Sequence, residues 1–181
     1  MIMNSDLIEQ FIDQPSLKAL EKLLETEDIK EAQEAANQLA SLFGDNKTFE
    51  KIADPNTDSE AKLISSFNNN LVLLIQKTWV EKSDEDLKAQ VSYHLEELCT
   101  SLNAKAYNKA YPTFFTIVDN VVYLMFGIQT KSKDFEEYAL RIDPEFGIFW
   151  WYMKNLPRTA SWSEPKTRIA ILLGMYFLAN Y

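Results

Sequence analysis

Apolar residues recur along this chain at intervals of three and four, which is the spacing of one face of an α-helix. One such stripe runs from Ile29 to Phe43, and another runs from Leu87 to Leu102. Turn residues are scarce, with 4 Gly and 6 Pro in 181 residues, and no Asn-Gly or Asp-Gly pair marks a β-hairpin. The pattern predicts an all-α protein built from long helices.

Several predicted helices begin at residues that satisfy free N–H groups. The segment Thr57-Asp58-Ser59-Glu60 is typical of a capping box, in which the Thr and Glu side chains satisfy each other's backbone donors. Pro112 is expected to open a helix, and Asp143-Pro144-Glu145 predicts another with Asp143 as its N-cap. In chain order the predicted helices cover about residues 15–24, 26–43, 57–80, 83–102, 112–126, 134–142, 144–156 and 164–181.

Charge and aromatic residues are unevenly distributed along the chain. The formal net charge is −9, and the acidic excess lies in the first 130 residues, whereas 17 of the 23 aromatic residues lie from Tyr107 onward. With no flexible linker between the halves, we predict one domain over residues 1–181. It would be a compact bundle of about seven or eight helices, with acidic N-terminal helices around an aromatic-rich C-terminal half. The acidic surface disfavours nucleic acid as a partner.

The apolar stretches are interpreted as buried helices and not as membrane spans. Residues 114–128 are interrupted by Asp119 and Asn120, and residues 169–179 fall short of the ~20 residues that a span requires. No basic segment followed by an apolar run opens the chain, and the single Cys99 cannot form an intramolecular disulfide. We therefore expect a cytoplasmic protein without a membrane partner.

Candidate catalytic groups are few. The chain has one histidine, His94, and one cysteine, Cys99, so we expect no metal site and no cofactor. The scarcity of these groups favours a protein that is not an enzyme. His94 is interpreted as a core histidine bonded to a backbone carbonyl, with a general base in a cavity as the alternative. Asp119, within an apolar helix, forms a structural ion pair, faces solvent at an edge position, or forms the floor of a polar pocket. His94 would share that pocket in the last case.

The C-terminal segment supplies the candidate binding residues. Three arginines and two tryptophans there combine charge with residues common in binding hot spots, and Asp119 completes the set. The Trp150-Trp151 segment is either core or exposed surface. The candidate binding residues are Asp119, Arg141, Trp151, Arg158, Trp162 and Arg168.

The sequence leaves two functions open. The first is a non-catalytic helical interaction or regulatory module that binds a protein partner, or itself, through this C-terminal surface. The second is a small-ligand-binding protein or enzyme with an aromatic-lined pocket between helices.

Overall fold

The computed structural model describes residues 5–79, 85–129 and 134–181, and every regular element in these ranges is a helix. Nine described helices have eight or more residues, and one further helix is a single turn. The all-α prediction is therefore confirmed, and the number of helices is close to the expected seven or eight. None of the described helices is both long enough and apolar enough to cross a membrane. The helices are α1 (Ser5–Ile8), α2 (Gln14–Glu25), α3 (Ile29–Ala40), α4 (Asn46–Ala53), α5 (Ser59–Trp79), α6 (Glu85–Asn103), α7 (Tyr107–Phe126), α8 (Phe135–Ile142), α9 (Pro144–Asn155) and α10 (Glu164–Ala179).

Helix starts follow local capping chemistry in several places. The Asp13 carboxylate accepts a hydrogen bond from the Ser16 N–H at 2.8 Å, and Asp143 accepts one from the Phe146 N–H at 3.2 Å. Each bond satisfies a donor that has no partner within the helix. The predicted N-cap at Asp143 is therefore confirmed. The predicted end of α5 at residue 80 and the predicted start of α6 at residue 83 lie outside the described residues.

The predicted capping box at the start of α5 is wrong. The Thr57 hydroxyl donates to the carbonyls of Lys51 at 2.7 Å and Asp54 at 3.1 Å, so it caps the end of α4. The Glu60 carboxylate instead turns inward to Tyr107 and Arg168. A buried cation needs a negative partner more than an exposed helix end needs a side-chain acceptor, because water can satisfy the exposed end.

Helix α7 begins five residues before Pro112, so the predicted start at this proline is also wrong. The turn before the proline is held by α10. The Glu164 carboxylate accepts the Asn108 N–H at 3.1 Å, and the Thr167 hydroxyl donates to the Asn108 side chain at 2.7 Å. Pro112 has no N–H to donate to the helix, and these tertiary bonds stabilise the turn that the proline would otherwise weaken.

Helix α10 lies at the centre of the molecule. Residues 166–178 are thirteen consecutive buried residues, and the helix packs against α3, α4, α5, α7 and α9. The aromatic residues of α9 are buried beside it, so the Trp150-Trp151 segment is core. A Cβ atom at Gly174 would lie 2.8 Å from the Phe114 ring, which shows how closely α10 approaches α7.

Packing between α8 and α9 gives a prediction about Gly147. A Cβ atom there would lie 2.7 Å from the Leu140 Cα, and backbone atoms cannot move aside as a side-chain end can. In an exposed helix, Gly→Ala would stabilise by about 1 kcal/mol. We expect Gly147→Ala to lower the free energy of unfolding by about 1–3 kcal/mol in chemical denaturation. Increased stability in this variant would contradict the close approach of the two helices.

Candidate functional site

A buried ionic cluster joins four helices near the start of α10. The Glu60 Oε2 accepts hydrogen bonds from the Arg168 Nε at 3.0 Å and Nη2 at 2.8 Å, while Glu60 Oε1 accepts the Tyr107 hydroxyl at 2.7 Å. Arg168 also donates to the carbonyls of Ala53 and Ile52. The cluster therefore ties the end of α4 and the starts of α5 and α7 to α10.

The cluster sets the protonation states of its members. Burial alone would raise the pKa of Glu60, but hydrogen bonds from Tyr107 and Arg168, together with the charges of Arg168 and Lys105, hold that pKa below its ordinary value of 4.5. Burial and the hydrogen bond to Glu60 raise the pKa of Tyr107 to about 12. At neutral pH, Glu60 is thus a carboxylate and Tyr107 a protonated donor.

Lys105 adds a second cation beside the same carboxylate. Its Nζ lies 3.3 Å from Glu60 Oε2, and its side chain is 64% exposed. The backbone of Lys105 is left-handed, with a φ of 58°. The Ala106 N–H donates to the Ser101 carbonyl at 2.9 Å, and the Lys105 N–H donates to the Leu102 carbonyl at 3.0 Å. These bonds form a Schellman motif at the end of α6, in which Lys105 occupies the position that glycine usually takes.

An apolar groove of about 630 Å³ opens beside this cluster, between α3, the end of α4 and the start of α10. We call it the α3–α10 groove. Lys105, Tyr107 and Arg168 of the cluster form part of its wall. The apolar part of the wall consists of Ile29, Ala53, Pro55, Tyr107, Pro165 and Ile169.

A second buried cation, Lys166, lies in the first turn of α10. Its Nζ donates to the carbonyls of Leu24 at 3.1 Å and Thr26 at 2.7 Å, and lies 4.4 Å from the centre of the Trp162 ring. Burial lowers the pKa of Lys166, although the charge of Glu27 acts in the opposite direction. The lysine satisfies carbonyls at the end of α2 and fixes that end against α10.

Two of the residues predicted to bind a partner contact each other directly. The Arg158 Nη1 lies 3.0 Å from the Asp119 Oδ2, and the Arg158 guanidinium lies 4.7 Å from the centre of the Phe115 ring. Both charged side chains are partly exposed, so this contact is an ion pair at the surface. It matches the interpretation of Asp119 as a structural ion-pair partner.

The remaining predicted residues are dispersed. Trp151 is 1% exposed and contributes no surface, and Trp162 packs against the Tyr111 ring. Arg141 is exposed on α8 and pairs with Glu137, whereas Arg168 belongs to the buried cluster. The described contacts therefore do not gather the six residues into a single surface. Their roles in binding remain predictions.

His94 differs from the core histidine expected from the sequence. It is partly exposed, and its Nδ1 lies 3.2 Å from the Glu97 Oε2 one turn away, so its partner is a carboxylate and not a backbone carbonyl. The buried residues of described α6 are Val91, Leu98 and Leu102, which leaves His94 at the edge of the apolar stripe. Among the described contacts, none joins His94 to Asp119, which pairs with Arg158.

Sequence reasoning missed three members of this site. Glu60 was assigned to a local cap, Tyr107 was counted only among the aromatic residues, and Lys105 has no sequence signature because glycine is the usual residue at its position. One signal was available. Lys166 and Arg168 stand at the start of a helix that is otherwise apolar, and a cation on such a helix requires a buried partner.

Comparisons with protein-family models, curated proteins and solved structures find no match to this chain. The described residues also contain no group of three or more His, Cys, Asp or Glu side chains arranged to hold a metal ion.

The cluster predicts a pH-dependent contribution to stability. We expect Glu60→Gln to lower the free energy of unfolding by roughly 3 kcal/mol at neutral pH, because it leaves the Arg168 charge buried without its partner. The folded-state pKa of Glu60 is lowered, so the contribution is complete above its ordinary value of 4.5 and is lost as the pH falls through the folded-state pKa. Denaturation of both proteins from pH 7 downward measures this difference.

The control is Glu31→Gln, which removes a carboxylate from a half-exposed pair with Lys22 at 3.8 Å. We expect this change to cost less than about 1 kcal/mol. Equal effects of the two substitutions at neutral pH, or a Glu60→Gln effect that does not decrease in acid, would contradict the assignment.

Proposed function

We propose that this protein is a non-catalytic binding protein and that its ligand site is the α3–α10 groove. The observation that carries the proposal is a mostly apolar groove of about 630 Å³ with a fixed ionic cluster in its wall. Ligand pockets of roughly 300–1,000 Å³ commonly combine an apolar lining with a few well-placed polar groups. The groove has both features.

The protonation states of the cluster support binding over proton transfer. A general acid or base works best when its pKa lies near the operating pH. The pKa of Glu60 is lowered and the pKa of Tyr107 is raised to about 12, so each moves away from neutrality. The groups in this wall can therefore hold fixed charges and hydrogen bonds, which is what recognition of a ligand requires.

The interaction surface proposed from the sequence has less support. Trp151 and Trp162 were its aromatic anchors, and both side chains are buried. Arg141, Arg158 and Asp119 remain accessible, and a protein partner for them stays a prediction. The apolar groove gives the small-ligand alternative a defined location, which favours that alternative.

We also infer that residues 1–181 act as one domain in the cytoplasm. The single-domain inference is supported by α10, which packs against helices from both halves of the chain. The acidic excess of the first 130 residues supports the inference that neither nucleic acid nor a membrane surface is the partner. The same distribution supports an acidic outer layer around the aromatic C-terminal half.

The proposal is tested with Ile29→Glu and a thermal-melt screen of apolar small molecules. Ile29 lines the groove, is 38% exposed and stands at the first position of α3, where an acidic residue suits the helix dipole. A ligand at 100 times its dissociation constant should raise the melting temperature of the parent protein by roughly 5–11 °C. We expect the variant to fold normally and to lose that shift, because its new charge occupies the apolar wall.

The matched control is Leu73→Glu, which places the same charge at a residue that is 62% exposed and does not line the groove. This variant should keep the ligand-induced shift. If Ile29→Glu retains the full shift, the ligand binds elsewhere and the groove is not the site. If no compound stabilises the parent protein, the small-ligand function is contradicted.

A further inference from the structure

The charges at the wall of the α3–α10 groove balance one another. Among the described residues, three cations and two carboxylates line the groove, and a third carboxylate belongs to the adjoining ionic cluster. The described wall therefore has no net charge to offer a ligand. The cations are Lys30, Lys105 and Arg168, and the carboxylates are Glu34, Glu164 and Glu60.

Two pairs of opposite charges are set by helix spacing. Lys30 and Glu34 are four residues apart on α3, and Glu164 and Arg168 are four residues apart on α10. Residues at this spacing are neighbours on one face of a helix, where opposite charges attract each other. Each helix thus brings a cation and a carboxylate together to the groove.

The third pair joins two segments of the chain. The Lys105 Nζ lies 3.3 Å from the Glu60 Oε2, which also accepts hydrogen bonds from Arg168. The Lys105 ammonium has three N–H donors, so it can donate to a neutral oxygen of a ligand and keep this ion pair. A ligand carboxylate would instead have to compete with Glu60 for the same positive charge.

Polar groups of the wall are directed largely to partners within the protein. The Tyr107 hydroxyl donates to Glu60 at 2.7 Å, and the Gln33 side chain donates to Asn37 at 2.9 Å. Arg168 donates through all three of its nitrogens, to Glu60 and to two carbonyls of α4. A ligand that fills the groove therefore meets mainly its apolar wall.

This charge balance defines a ligand class for the proposed site, and the inference rests on the proposed function. A charge that leaves water for an apolar groove loses hydration free energy, which only an available opposite charge can offset. The balanced charges of the described wall cannot supply that compensation. We infer that the α3–α10 groove selects an uncharged apolar molecule over an anion or a cation of the same shape.

The inference is tested by titration calorimetry with 1-octanol, octanoate and octylammonium at pH 7, each below the concentration at which it aggregates. The three probes share an apolar chain and differ in the charge of the head group. The uncompensated loss of hydration should make both ions bind about tenfold more weakly than octanol. A salt concentration of about 0.1 M screens charges that lie far from the groove.

Two substitutions disturb the balance in opposite directions. Glu164→Gln keeps a side-chain oxygen to accept the Asn108 N–H and leaves the wall with excess positive charge. Octanoate should then bind roughly two- to fivefold more tightly, and octylammonium more weakly. Lys30→Gln should have the opposite effect on each ion, and neither change should alter the affinity for octanol.

The matched control is Glu96→Gln, which removes a carboxylate from α6 at an exposed residue that does not line the groove. This variant should bind all three probes as the parent protein does. Melting curves check that each variant remains folded.

The outcomes separate this inference from the proposed function. If either ion binds as tightly as octanol, and Ile29→Glu weakens octanol binding, the preference for an uncharged ligand is overturned and the groove remains a ligand site. If Ile29→Glu leaves octanol binding unchanged, the probe binds elsewhere and both proposals fail for this groove.

The substitutions at the wall test the physical cause. If Glu164→Gln and Lys30→Gln do not shift the two ions in opposite directions, charge balance is not the basis of selection and the inference is overturned. If none of the three probes binds, the ligand class is overturned, and the wider melt screen decides the proposed function separately.

Discussion

Burial of α10 on all sides is the constraint on which the other helices depend. A helix with thirteen consecutive buried residues has no face to offer water, so neighbours must cover its whole circumference. Its first buried turn is polar, and successive residues project about 100° apart around the axis. Lys166 therefore reaches the end of α2, Thr167 reaches α7, and Arg168 reaches α4 and α5. Three adjacent side chains thus position three sides of the bundle.

These contacts specify the arrangement more than they stabilise it. Removing Arg168 and Glu60 from water costs several kcal/mol of desolvation free energy per ion. Their mutual attraction offsets this cost only when nearly all of their hydrogen-bonding groups have partners. Here the guanidinium reaches a carboxylate and two backbone carbonyls, and the carboxylate also accepts the Tyr107 hydroxyl. Apolar packing alone would allow α10 to slide or rotate among its neighbours. A displaced α10 would leave these charges buried without partners.

Sequence reasoning succeeded where a signal was local and failed where it depended on distant partners. The Asp143 cap and the apolar run of α10 are local, and both appear in the structure. Helix α4 was missed because it spans eight residues with only three buried side chains, too short a stripe to recognise. The sequence around Glu60 is equally compatible with a local helix cap and with a buried ion pair. The two can be distinguished only when the position of Arg168 on α10 is known. Lys105 carries no signal, because its left-handed backbone contradicts the preference of its own residue type.

The α3–α10 groove and the Arg168–Glu60 ion pair meet at the end of α4. A helix leaves its last carbonyls without partners, and those of α4 are satisfied by Arg168 and by the Thr57 hydroxyl. Helix α4 ends at Ala53, and Pro55, two residues later, disfavours helical backbone at Asp54. Ile169, next to Arg168, lines the groove at this point. Arg168 thus satisfies the end of α4 where the groove opens, which places an apolar site beside fixed charge.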